Sequence, residues 1–243
     1  MAGMFYPGEP AELRRMIEGF LAEAKPGPHP KAIIAPHAGY VYSGPIAASV
    51  YKRINPEDVS RAVLIGPSHR VAFRGLAASS APAWRTPLGE VSVARPNFVQ
   101  ISDAAHAQEH SLEVQVPFLQ MVLGDFTLLP LVAGEASAAE VAEVLEKCWG
   151  GPETLIVISS DLSHYESYKT AREMDTAAAK AILALDERGL EYDNACGLVP
   201  ICGLLHLAKQ KKMRAELVDL RSSGDTAGSR DQVVGYGAFA FYE

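Results

Sequence analysis

The chain has 243 residues, 48% hydrophobic and 21% charged, with a formal net charge of −7. That length suits one large domain or two small ones, and a fold of this size buries roughly 75% of its unfolded surface without needing a disulfide or structural metal. The acidic balance argues against a nucleic-acid or anionic-membrane surface, and no uninterrupted apolar stretch approaches the ~20 residues that span a bilayer.

The helix expected first runs from Pro10 to about Ala24, with Leu13, Ile17, Phe20 and Leu21 on one face. Pro26-Gly27-Pro28 ends it, and the short apolar run Ile33-Ile34-Ala35 leads through Pro36 to His37. Gly44-Pro45 opens a second helix carrying Ile46, Val50 and Ile54, and the strand Val63-Leu64-Ile65 leads through Gly66-Pro67-Ser68 to His69. Residues 70 to 106 read as irregular or short-strand structure. A helix after Glu109 carries Leu112, Val116, Leu119 and Leu123, with Pro117 as a kink. Leu128 to Val132 reads as a strand that Pro130 demotes to an edge or bulge.

Ser137 caps the next helix, which carries Val141, Val144, Leu145 and Cys148. The run Leu155 to Ile158 leads through Ser159-Ser160 to Asp161 and His164. An Ala-rich helix from about Thr170 to Arg188 follows, then one from near Pro200 that ends in Lys209-Gln210-Lys211-Lys212, a solvated helix end. Glu216 to Leu220 forms a strand before Ser222-Ser223-Gly224-Asp225, and Val233 to Tyr242 closes the chain as a final strand. Alternating strands and helices without a dividing linker predict one α/β sandwich over residues 1–243, with a largely parallel or mixed sheet and helices on both faces.

Ligand crevices of open α/β sheets lie beyond the carboxyl ends of the strands. His37 and His69 occupy such ends among Gly and Pro, and two histidines converging there with a carboxylate would suggest a metal site. Asp225 and Asp161 have plainer readings, as turn chemistry and as an N-cap. His29, between prolines, and His206, within an apolar helix, read as ordinary hydrogen-bonded residues. His106-Ala107-Gln108-Glu109-His110 fits H-x-x-E-H, the inverted zincin pattern, but no third ligand accompanies it. Phosphate-loop, dinucleotide and nucleophile-elbow motifs are absent. The cysteines Cys148, Cys196 and Cys202 are odd in number and read as buried thiols of a reducing compartment. The N-terminus lacks the basic and apolar regions of a signal peptide, which points to the cytoplasm.

Several separated segments, in order, resemble the Memo family, whose prokaryotic members are called AmmeMemoRadiSam system protein B. They are Ala2-Gly3-Met4-Phe5-Tyr6-Pro7, Pro36-His37-Ala38-Gly39-Tyr40, Gly66-Pro67-Ser68-His69, Glu109-His110-Ser111-Leu112-Glu113, Ser159-Ser160-Asp161-Leu162-Ser163-His164, Cys196-Gly197 and Val234-Gly235-Tyr236. The resemblance implies a fold similar to class III extradiol dioxygenases, which use non-haem Fe(II). It implies a pocket with His37, His69 and a third group in the Ser222–Asp225 loop. Animal members have Cys at that third position, and the residue that matches it here is Asp225, with Asp219 and Asp231 as neighbouring alternatives. His37, His69 and Asp225 would give the 2-His-1-carboxylate set that suits Fe(II), other divalent metals being possible. By the same resemblance His164 is a general acid or base, and His110 and Asp161 orient ligands or substrate. A metal-dependent oxidoreductase acting on a small molecule is expected, with a radical-SAM protein in the same pathway. The alternative is a non-catalytic adaptor that holds a peptide or anion in the same crevice.

Overall fold

A computed structural model describes residues 1–243. The elements of the first half are α1 (Pro10–Glu23), β1 (Ala32–Ala35), α2 (Tyr40–Tyr51), β2 (Arg61–Pro67), β3 (Leu76–Ala78), β4 (Ala83–Thr86), β5 (Gly89–Val93) and β6 (Gln100–Ile101). Then come α3 (Asp103–Ala107), α4 (His110–Glu113), α5 (Val116–Leu123), β7 (Thr127–Ala133), α6 (Ala138–Cys148), β8 (Thr154–Ser159) and β9 (His164–Glu166). The chain ends with α7 (Tyr168–Leu183), α8 (Leu198–Gln210), β10 (Arg214–Ser222) and β11 (Val233–Tyr242). No helix is long and apolar enough to cross a membrane.

Side chains on a strand alternate between faces, and here the alternation divides two apolar layers. Ile33, Leu64, Leu155 and Tyr236 join one core with Leu13 and Ile17 of α1, Ile46 and Val50 of α2 and Phe118 of α5. Ile34, Val63, Ile156 and Phe239 join the other with Val141 of α6, Ile182 of α7 and Leu204 of α8. Strands covered on both faces read as continuous apolar runs, which is why β1, β2 and β8 stand out in the sequence. The result is the expected α/β sandwich with a mixed sheet.

β1, β8, β2 and β7 pair in parallel in that order. β11 and then β10 extend the β1 side antiparallel, and β3 runs antiparallel on the far side of β7. The carboxyl ends of β1, β8 and β2 therefore lie side by side, carrying the segments that lead to His37, Asp161 and His69.

Three local expectations shift. β7 is central, not an edge. Its free flank pairs with β5 at Thr127 and Leu128 and with β3 from Leu131 to Ala133, so Pro130 falls where the partner changes and its missing N–H breaks no ladder. α2 begins at Tyr40 rather than Gly44, because the Tyr40 N–H bonds the Phe5 carbonyl at 2.7 Å and its buried hydroxyl donates to the Val114 carbonyl at 2.7 Å. The helix after Glu109 breaks into α4 and α5, which places Pro117 in a first turn where no N–H is required.

Candidate metal centre

His37 follows β1 and is 1% exposed. Its backbone N–H donates to Asp161 Oδ1 at 2.7 Å, tying the end of β1 to the end of β8. Its Nδ1 lies 2.9 Å from Ser159 Oγ. Ser159 gives its only hydroxyl proton to the Ser111 carbonyl at 2.5 Å and accepts from Gln115 Nε2 at 2.8 Å. Its remaining lone pair accepts from His37, so Nδ1 carries the imidazole proton and Nε2 presents a bare lone pair.

His69 follows β2 and is fixed by one buried carboxylate. Glu109 accepts from the His69 N–H at 2.6 Å, from His69 Nδ1 at 2.9 Å and from the Ser111 N–H at 2.9 Å. Nε2 of His69 is thereby left as its ligand atom. His110 opens α4, with Nδ1 3.4 Å from the same carboxylate and its ring stacked on Phe5 at 4.6 Å between centroids. The ligand atoms of His37, His69 and His110 all lie within 4.8 Å of one another.

Two further groups border the cluster. Cys196 Sγ sits 3.3 Å from His37 Nε2 and accepts from the Asp161 N–H at 3.3 Å. A Cβ on Gly197 would come within 2.6 Å of Ser160 Cβ, so the glycine is what lets the Cys196 segment approach the end of β8. His164 is exposed on β9, close enough for its charge to act on both His37 and Asp161.

Burial, and then the neighbouring His69, push His37 down to about 3. Burial, and then His37 and His69, push His110 down to about 4. Both rings are thus neutral at physiological pH, as metal ligands must be. Burial alone would raise Glu109, but the hydrogen bonds from His69 and Ser111 outweigh it and hold the carboxylate down at about 2. Burial pushes Asp161 up, against the pull of the His37 N–H and of His164 and His110. Burial and the Asp161 charge push the Cys196 thiol up to about 12.

Asp225, expected as the third ligand, is not part of this group. Its carboxylate accepts from Tyr168 Oη at 2.6 Å and from the Ser222 N–H at 2.9 Å, closing a capping box around a single 3-10 turn. The neighbouring alternatives are not part of it either: Asp219 is held by the Arg221 guanidinium, and Asp231 accepts from Ser229 on the surface. His110, expected only to orient ligands, joins His37 and His69 directly. His106 donates from Nε2 to the Ala77 carbonyl at 3.0 Å and takes no part, so the H-x-x-E-H pattern does not form one site. His29 accepts from the Asn55 N–H and His206 lies against Glu187, as plain readings of both would have it.

A family model described as Memo-like protein matches residues 1–240. The chain belongs to the Memo family. It is 37% identical over 283 residues to a MEMO1 family protein of Methanopyrus kandleri, an alignment covering 99% of this chain and 97% of that one. A MEMO1 family protein of Archaeoglobus fulgidus is 38% identical over 260 residues, covering 99% and 97%. One from Aquifex aeolicus is 37% identical over 259 residues, covering 97% and 95%.

In this Memo-family chain, sequence reasoning missed the working partners of the histidines: Ser159 and Gln115 behind His37, Glu109 behind His69, and Cys196 beside the cluster. Cys196 read as an inert buried thiol. The signal that points to it is the glycine that follows, at a helix start, among the segments shared with the family. The donor set suits a transition ion, since imidazole is a ligand for iron, copper and zinc. Outer hydrogen bonds that fix ring tautomers are the usual companions of such ligands.

Proposed function

We propose that the protein is a metal-dependent oxidoreductase whose divalent ion is held by His37, His69 and His110, with Cys196 lying against His37 at the edge of the group. The observation that carries this reading is three imidazole ligand atoms within 4.8 Å of one another, two of them on rings whose Nδ1 is taken by Ser159 and Glu109. Fe(II) is the ion that the family resemblance favours, although the carboxylate expected beside it lies elsewhere. When bound, such an ion supplies Lewis-acid and one-electron chemistry.

The chain's own residues do the rest. Ser159 and Glu109 occupy Nδ1 of His37 and of His69 and leave Nε2 of each ring aimed inward. Phe5 covers one face of His110 and shields it from water. Asp161 anchors the His37 backbone, and His164 stands at the rim with an imidazole able to pass a proton to or from a small-molecule substrate. Three unpaired cysteines accord with a cytoplasmic setting.

Anaerobic loading with Fe(II), followed by elemental analysis, tests this reading. Wild-type protein retains about one ion per chain, whereas His37→Ala and His69→Ala lose it with the fold preserved. Full occupancy in both variants, or none in the wild type, overturns it. The adaptor role would instead show as phosphopeptide binding that survives in metal-free protein.

A further inference from the structure

We propose that the groove beside the metal centre binds the apolar arm of the substrate, which is then an amphiphilic small molecule with an oxygen-bearing head at the ion. This rests on the metal-centre reading and adds the substrate class. The groove, about 530 Å³, runs between the loop after β2 and the first turn of α8. Two residues join it to the centre. Cys196 lines it while lying 3.3 Å from His37 Nε2, and Ser68 lines it immediately before His69 in the chain. From that inner end the walls are Val71, Phe73, Ala136, Leu198, Val199 and Pro200.

Cavities of this size and lining bury small ligands through apolar contact, with a few polar groups setting orientation. Here Ser68 and Cys196, next to the centre, are the groups that would set it. The groove's charged residues are one Arg74 and one Glu135, bridged through their backbones. Most of the remaining lining is apolar. An apolar chain or ring anchored by its head therefore meets more of the wall than a dicarboxylate or a sugar phosphate, whose polar tail would lose water against mostly apolar residues.

Acetohydroxamate and octanohydroxamate share a metal-binding head and differ in the tail, so their affinities for the Fe(II)-loaded full chain isolate the groove. Octanohydroxamate is expected to bind the wild type at least about tenfold tighter, the effect of burying two or more methylenes. Ala72→Trp, which fills the groove from an exposed position, and Val199→Glu, which makes its wall charged, each reduce that ratio toward unity. Elemental analysis and a thermal melt of both variants report whether centre and fold survive. Equal affinities in the wild type, or a preference that persists in both metal-loaded variants, overturns the groove and leaves the centre standing. A wild type that holds no iron and binds neither probe overturns the centre and the groove together.

Discussion

Ser159 Oγ lies 2.9 Å from His37 Nδ1 and acts there only as an acceptor, because its proton is committed to the Ser111 carbonyl. Behind it the relay continues through Gln115, whose Nε2 also bonds the Pro36 carbonyl at 2.9 Å and whose Oε1 accepts from Tyr51 at 2.9 Å. The amide orientation is therefore fixed, and with it the tautomer of a ring two hydrogen bonds away. Ser159→Ala removes the acceptor of the buried His37 Nδ1–H and the donor to the Ser111 carbonyl. Metal affinity should fall about 10–100-fold, and stability by about 1–3 kcal/mol. A chelator-competition titration alongside a thermal melt checks both. Unchanged affinity with a lowered Tm would reduce Ser159 to a packing residue.

Metal-free protein should lose stability steadily as pH falls below neutral. His37 and His110 have folded pKa values of about 3 and about 4, below the unfolded value of about 6.5. The unfolded chain therefore binds more protons below pH 6.5, and stability drains as pH falls from there through the folded values. Glu109 acts in the same direction: its carboxylate is held at about 2, so its contribution is full above the unfolded value and is lost as pH falls through 2. At about 1.4 kcal/mol per unit of difference, fully buried His37 alone accounts for several kcal/mol. Melts of chelator-treated protein between pH 7 and 4 should show a steep acid limb, flatter in His37→Gln. A wild-type limb no steeper than the variant's would contradict the neutral, buried ring.

Cys196 should stay a neutral thiol with or without metal. Its thiol, pushed up to about 12 by burial and by Asp161, is protonated in the metal-free protein and a poor nucleophile at neutral pH. It lies against His37 but outside the three-histidine group, so a bound ion leaves that proton in place. Iodoacetamide should therefore modify Cys196 slowly at pH 7. Loading with Co(II) should give a histidine-bound ion without a thiolate-to-metal absorption band, unchanged in Cys196→Ser. A thiolate band in the wild type that vanishes in the variant would place Cys196 at the ion.

The sequence exposes the frame of the site better than its wiring. β1, β2 and β8 are visible because strands buried on both faces are unbroken apolar runs, and the Gly, Pro and Ser residues after them mark where they end. The cap of α6 is visible because Ser137 and Glu140 form a local capping box. The partners of the histidines are hidden because they arrive from far along the chain. Ser159 is 122 positions from His37, Glu109 is 40 from His69, and Cys196 is 159 from His37. No local periodicity registers such contacts. Glu109 shows in the sequence inside a five-residue pattern that suggests a different role and in a segment of the family resemblance that assigns it none, and the resemblance that points to Asp225 crosses a loop in which a capping aspartate looks the same as a ligand.

Asp225 offers the sharpest test of that last distinction. Its carboxylate closes the 3-10 turn after β10, accepting from Ser222 and from Tyr168 at the start of α7. Those bonds offset its burial and hold its pKa below the usual carboxylate value. Asp225→Ala should cost about 1 kcal/mol, as loss of a cap does, lowering Tm by about 2–4 °C for a chain of this length. Tyr168→Phe should cost part of the same energy, and the double variant less than the sum, because the two share one hydrogen bond. Iron content after anaerobic loading should match the wild type in all three. If Asp225→Ala alone empties the centre, the carboxylate reaches the ion after all, and the three-imidazole assignment gives way to the 2-His-1-carboxylate set.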